Sequence, residues 1–182
     1  MQLSTTRLRL REITFHDTVA IHQYASLEEV SHDQPWGPNS LEETTQFVAE
    51  VVADAAEHKR LRYCLAVEYD GQLIGAGELW ITDWYNECAE IGYVLHPAYW
   101  GQGFATEMAN VLLAFGFEQL GMHRIFATCD PENIASFNVL EKAGFQSEGR
   151  IRDHLRINGG WRDSLIYSML RDEWQVMVYE YE

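Results

Sequence analysis

Two glycines spaced one residue apart, Gly101 and Gly103, follow an apolar strand-like run, Glu90-Ile91-Gly92-Tyr93-Val94-Leu95, and precede an amphipathic segment opening at Phe104. A strand that passes through small residues into a helix suits anion binding. Glycine lets a ligand approach the backbone, and the first amides of a helix have no partner within it. Gly101, Gln102, Gly103, Phe104, Ala105 and Thr106 are therefore candidates to bind a phosphate-like anion. Glycines of this spacing also serve a bare turn, and the loop alone leaves both readings open.

Other chemistries are less well served. Gly101-x-Gly103-x-x-Thr106 partly copies the dinucleotide fingerprint, but the third glycine is Thr106, the motif lies past the middle of the chain, and repeated strand-helix-strand halves are missing. The seven histidines are scattered without an i,i+4 pair, so no metal site is expected. Cys64, Cys88 and Cys129 are widely spaced and read as reduced thiols packed in strands.

A second segment narrows the choice. Asp130-Pro131-Glu132-Asn133-Ile134-Ala135-Ser136-Phe137-Asn138-Val139-Leu140-Glu141-Lys142-Ala143-Gly144-Phe145 follows a short strand, His123 to Cys129, and reads as a helix ended by Gly144. With the glycine loop, it resembles the Gcn5-related N-acetyltransferase (GNAT) superfamily, in a register close to the RimJ/RimL-like branch of protein N-terminal acetyltransferases. The superfamily's Arg/Gln-x-x-Gly-x-Gly/Ala pattern is matched from Trp100 to Ala105 except at its first position, where that branch commonly carries Trp. The resemblance runs from the opening Leu3–Arg11 strand to the closing Asp163–Leu170 strand.

The resemblance implies a mixed α+β fold, a mostly antiparallel sheet flanked by helices with a splayed strand pair holding acetyl-coenzyme A. It implies an enzyme that moves acetyl from that co-substrate to a primary amine. The backbone of Tyr93, Val94 and Leu95 would pair with the pantetheine arm, the amides from Gly101 to Thr106 would hold the pyrophosphate, and Asn133 would bond the pantetheine amide region. Glu90 is the candidate base for the amine. The tyrosine that commonly assists the departing thiolate is replaced here by Leu140, and Ser136, one turn earlier, is the branch alternative, acting by hydrogen bonding. Trp36, Trp80, Asp83, Trp84 and Tyr85 fall in regions that bound the acceptor cleft in similar enzymes, with Glu87 beside them. A cofactor-binding sensor without catalysis is the rival reading, favoured by the missing tyrosine and opposed by Glu90, Ser136 and Asn133.

Composition sets limits of its own. A chain of 182 residues, 47% apolar, reads as one acetyltransferase domain with a real core. The formal net charge of −15 argues against nucleic acid as the main partner and favours a cationic acceptor such as a basic peptide terminus or a polyamine. No apolar stretch spans a bilayer and the N-terminus carries no signal pattern, so a cytoplasmic protein is expected, as monomer or homodimer.

The elements that must position these residues follow from periodicity and caps. An opening strand ends near Ile13, and Thr14 caps a helix start; Ser40 with Glu43 forms a capping box for a helix reaching about Glu57. Strands Arg62 to Tyr69 and Leu73 to Ile81 are joined by the turn Asp70-Gly71, and Cys88 to Leu95 runs into the glycine loop. A helix from Phe104 to Leu120 carries Met108, Leu112, Phe115 and Leu120 as a core stripe. Gly149 to Ile157, Asn158-Gly159 and Trp161 to Leu170 read as a closing hairpin.

Overall fold

The structure is a computed structural model, and it describes every residue except Asn158, Tyr181 and Glu182, with the side chains of residues 178–180 also left undescribed. In chain order, β1 (Gln2–Ser4) and β2 (Arg9–Glu12) lead through a tight turn at Phe15–Asp17 into α1 (Thr18–Ala25), α2 (Glu28–Ser31) and α3 (Leu41–Ala56). Then come β3 (Arg62–Tyr69), β4 (Gln72–Asp83), β5 (Cys88–Leu95), α4 (Phe104–Ala114), β6 (Arg124–Cys129), α5 (Ile134–Lys142), β7 (Gln146–Ile157), β8 (Gly160–Leu170) and α6 (Arg171–Glu180).

The strands form one eight-stranded sheet in the order β1-β2-β3-β4-β5-β6-β8-β7. Every neighbouring pair is antiparallel except β5 and β6. That parallel pair is joined over only three residues, Cys88 with Arg124, Ala89 with Ile125 and Glu90 with Phe126. Beyond Glu90 the two strands separate, as expected for a splayed pair. Both faces of the sheet are covered. One core cluster gathers Phe104, Met108, Leu112, Ile125 and Leu140 on the side of α4 and α5; the other gathers Ile21, Tyr24, Val48 and Val51 on the side of α1 and α3. With both faces buried, β3 reads as an almost continuous apolar run from Tyr63 to Val67.

Local signals set most boundaries. Ser40 Oγ accepts from Glu43 N–H (3.2 Å), while the Glu43 carboxylate accepts from Ser40 N–H (2.7 Å), so both ends of the capping box are made. Asp70 and Gly71 hold φ of 48° and 74°, the left-handed pair that a two-residue hairpin needs. The three cysteines are unpaired thiols within strands. Asn158 of the expected Asn158-Gly159 turn lies outside the described residues.

Two expectations are corrected, and one element went unforeseen. The opening strand is a hairpin instead, because Thr5 turns the chain: its N–H bonds the Leu8 carbonyl (2.9 Å) and its hydroxyl accepts from Leu8 N–H (2.8 Å). Thr14 is the N-cap of the Phe15–Asp17 turn as expected: its carbonyl accepts from Asp17 N–H (3.0 Å), and its amide and hydroxyl both donate to the Asp17 carboxylate (2.8 and 2.9 Å). The helix begun at Phe104 widens at Phe115–Gln119 into a π-turn, closed by Leu120 N–H on the Phe115 carbonyl (3.2 Å). Gly116 sits in that turn against Ile125 and Leu79, where a Cβ would come within 2.5 Å of Ile125. Finally, α6 went unforeseen; its Trp174 is buried and stacks on Phe117 with ring centres 6.0 Å apart. Among the described residues, no helix is long and apolar enough to cross a membrane.

Gly75 brings β4 against β5, and a Cβ there would lie 2.1 Å from the Val94 carbonyl oxygen. That contact is with backbone and cannot be relieved by a rotamer change. Gly75→Ala should therefore cost about 2–3 kcal/mol of stability, read from the midpoint of urea denaturation.

Candidate active site

Glu90 is the last β5 residue paired with β6, so its side chain stands where the two strands begin to part. Thr128, two residues beyond the last paired β6 position, donates its hydroxyl to Glu90 Oε1 (3.0 Å) across the opening. Burial raises the Glu90 pKa above the ordinary carboxylate range, and the Glu78 charge raises it further, against the pull of the Thr128 hydrogen bond. A carboxylate held this way is a better proton acceptor than an exposed one.

Strand alternation puts Glu90, Gly92 and Val94 on one face of β5 with Arg62, Cys64, Glu78 and Trp80 of the neighbouring strands. These residues line a cleft of about 740 Å³, closed on the helix side by Tyr24, Trp36, Phe47 and Glu50. The Arg62 guanidinium bonds Glu78 (3.0 Å) and lies 5.8 Å from the Trp80 ring, which fixes one ion pair in the wall. Gly92 leaves the floor open, since a Cβ there would meet nothing within 4 Å.

The other face of β5 carries Tyr93 toward α5. Its hydroxyl donates to the Ser136 carbonyl (3.3 Å) and lies 3.5 Å from Ser136 Oγ. Burial pushes the Tyr93 phenol up to about 12. Cys129, also lining the cleft, is pushed up to about 11 by burial and the Asp130 charge, so it stays a thiol. Asn133 caps α5: its Oδ1 accepts from Ser136 N–H (2.9 Å), and its Nδ2 donates to the Asp33 carboxylate (3.2 Å). Leu140 is fully buried at 1% exposure, one turn further along.

At the far end of β5, Gly101 and Gly103 take φ of 72° and 80°, and Gly103 is the N-cap of α4. Such angles favour glycine. The loop backbone is exposed at Gly101, Gln102 and Gly103, whereas the Phe104 side chain turns into the core against Tyr69. Trp100 has a part that spacing did not reveal. Its indole N–H bonds the Leu95 carbonyl (2.8 Å), tying the loop back to the strand that feeds it.

Of the sequence candidates, Glu90, Tyr93, Val94, Asn133, Ser136, Trp36 and Trp80 line one cleft. Asp83, Trp84 and Tyr85 do not. They occupy the tip of the β4–β5 hairpin, where the Asp83 carboxylate accepts from Tyr85 N–H, Asn86 N–H and the Asn86 amide, and Tyr85 is 94% exposed. Glu87, close by, faces Arg171 (3.3 Å). Sequence reading missed Thr128, Glu78, Arg62, Asp33, Asp130 and Arg162, whose partners lie on other elements; Arg162, for example, pairs with Asp130 at 3.1 Å and also donates to the Asp33 carbonyl. The described residues contain no cluster of three or more His, Cys, Asp or Glu that could hold a metal ion.

Residues 7–146 match the family model described as an acetyltransferase (GNAT) domain. The chain belongs to the GNAT acetyltransferases. It is 34% identical over 175 residues to YnaD, an uncharacterized N-acetyltransferase of Bacillus subtilis, covering 96% of this chain and 99% of that one. Among solved structures, the ribosomal-protein-S5-alanine acetyltransferase of Vibrio fischeri is similar at TM-score 0.80 and 27% identity, over 96% of this chain and 98% of that one. The spermidine N-acetyltransferase of Vibrio cholerae, solved with CoA and spermine, shares the fold at TM-score 0.80 and 24% identity, over 94% and 99% of the two chains. This GNAT chain is thus an acetyltransferase enzyme with the family's α+β architecture.

The environment of Glu90 has a consequence for stability. Because folding raises its pKa, its contribution is full below the unfolded carboxylate value of about 4.3 and is lost as pH rises through the native value. Glu90→Gln should therefore raise the thermal midpoint at pH 8, and the gain should vanish toward pH 4. Thermal denaturation across a pH series reads this directly.

Proposed function

We propose that this GNAT enzyme transfers acetyl from acetyl-coenzyme A to the primary amine of a positively charged acceptor, directly within a ternary complex, with Glu90 accepting the amine proton. The position of Glu90 carries the reading: a carboxylate with a raised pKa, held by Thr128 at the vertex of the splayed strands and facing the cleft. An ammonium group cannot attack a thioester until it loses a proton. Glu90 takes that proton from the amine or through one water.

The residues present fit acetyl-coenzyme A on two observations. Among the described residues, β5 has no partner strand on its β6 side from Ile91 to Leu95, so its backbone is open to pairing with the pantetheine amides at Tyr93 and Val94, and at Leu95 beside the Trp100 indole that already bonds its carbonyl. A Cβ at Gly101 would meet nothing within 4 Å and one at Gly103 would meet the Arg7 guanidinium at 3.5 Å, which leaves the loop open, and the amides through Gln102, Phe104, Ala105 and Thr106 are suited to the pyrophosphate. Bound there, the co-substrate supplies an activated acetyl thioester. The Ser136 hydroxyl, beside Tyr93, assists the departing thiolate by hydrogen bonding, in place of the tyrosine that Leu140 replaces. Asn133 holds the start of α5, and any contact it makes with pantetheine shares an amide already bonded to Asp33.

The acceptor's charge is supported by the cleft. Five carboxylates line it, of Asp33, Glu50, Glu78, Glu90 and Asp130, against the guanidiniums of Arg62 and Arg162. Those two arginines pair with Glu78 and Asp130, which leaves Asp33, Glu50 and Glu90 to meet an incoming cation. Trp36 and Trp80 offer aromatic faces to the same guest. A RimJ/RimL-like protein N-terminus and a polyamine both match this description, in keeping with the ribosomal-protein and spermidine acetyltransferases among the similar structures. The reading places the work in the cytoplasm, where both acceptors and acetyl-coenzyme A are found.

Coenzyme A release, measured with N-terminal peptides, polyamines and neutral amines, tests the proposal. Cationic acceptors should turn over fastest at low salt and lose efficiency as salt rises; acetyl-coenzyme A binding without turnover of any amine would mark a sensor instead. Glu90→Gln should slow acetyl transfer about 10²–10⁴-fold near neutral pH, with the deficit shrinking at alkaline pH as neutral amine becomes abundant. Gly103→Val should sharply weaken acetyl-coenzyme A binding in calorimetric titration, because a β-branched residue resists φ of 80°.

A further inference from the structure

The glycine loop is gripped from outside by Arg7, a residue of the β1–β2 turn almost 100 positions away in sequence. Its guanidinium touches the loop at successive points. Nη1 donates to the Gln102 carbonyl (3.0 Å), the group lies 4.3 Å from the centre of the Phe104 ring, and Nη2 sits 3.5 Å from where a Gly103 Cβ would stand. Nε and Nη2 both bond Glu107 Oε2 at 2.7 Å, and the Arg7 N–H bonds Oε1 at 3.0 Å, where the Thr5 hydroxyl also donates.

Two consequences follow from this geometry. With the Gln102 carbonyl turned to Arg7, the planar trans peptide turns the Gly103 N–H the opposite way, away from the guanidinium. Glu107 lies in the first turn of α4, where its negative charge would repel an anion brought to the helix start. Held below the ordinary carboxylate range by Thr5 and Arg7, which outweigh the opposing effect of burial, Glu107 stays ionised at neutral pH. Arg7 cancels that charge where it stands.

We propose that Arg7 is a positioning residue for pyrophosphate binding, orienting the Gln102–Gly103 peptide and neutralising Glu107 at the mouth of the loop. The proposal rests on the reading of the loop as the acetyl-coenzyme A phosphate site. It predicts a defect specific to the phosphate-bearing end of the donor.

Arg7→Met keeps an apolar stem over Phe104 and removes the charge. It should weaken acetyl-coenzyme A about 10-fold or more in calorimetric titration, yet leave S-acetylpantetheine, which lacks the pyrophosphate, bound as by wild type in an NMR titration. Adding Glu107→Gln to Arg7→Met should recover part of the loss, because the unpaired anion is gone. Arg7→Lys should fall between wild type and Arg7→Met, since an ammonium can pair with Glu107 but cannot also span Gln102 and Phe104; it carries the test if Arg7→Met does not fold. Wild-type affinity for acetyl-coenzyme A in Arg7→Met, or an equal loss for both donors, would overturn the proposal. Failure of the wild type itself to bind acetyl-coenzyme A would overturn the underlying cofactor reading, and is distinguished by appearing before any substitution.

Discussion

A strand left without a partner in the middle of a sheet is the constraint on which this molecule is built. Among the described residues, β5 from Ile91 to Leu95 has β4 as its only partner strand, although β6 continues beside it to Cys129. Backbone amides and carbonyls inside a protein need partners, so a gap of this kind is costly unless something polar fills it.

The placement of charge follows from that gap. Glu90 sits at its vertex, where burial and the nearby Glu78 raise the proton affinity of the carboxylate. The other acids near the site are largely matched by arginines: Glu78 by Arg62, Asp130 by Arg162 and Glu107 by Arg7. A chain with a formal charge of −15 has therefore used several of its 13 cationic residues close to the cleft and the glycine loop. Among the described residues, the cleft's other carboxylates, those of Asp33, Glu50 and Glu90, pair with no arginine.

Loop and cleft are mechanically joined through side chains of modest appearance. Trp100 ties the glycine loop to the end of β5, and Asp33 connects the segment after α2 to both the cap of α5 and Arg162 of β8. A shift in the segment bearing Asp33 would thus be felt by Asn133 and, through it, by the helix that carries Ser136. The segment after α2, α5 and β8 thus share a wall of the cleft.

Much of this protein was legible from its residues in order. The strand Cys88 to Leu95 was bounded correctly because alternation and the glycines after it are local signals. The Ser40–Glu43 box and the Asp70-Gly71 turn were equally readable, since each is made among residues three positions apart or fewer. The family motifs pointed to Glu90, Asn133 and Ser136, and these do line one cleft. What stayed hidden depended on distant partners. Nothing beside Thr128 announces that its hydroxyl will meet Glu90, 38 positions earlier, or that Arg7 will hold Gln102 and Glu107. The same reason explains α6, whose Trp174 is drawn in by Phe117, and the hairpin tip that carries Asp83, Trp84 and Tyr85 away from the cleft. Sequence by itself determined the elements, their caps and the chemical types available, because those rest on dihedral preference and periodicity over a few residues. Tertiary structure alone decided which side chains share a wall, how far each is buried and hence which carboxylate has its proton affinity raised, because desolvation and charge pairing act through space rather than along the chain.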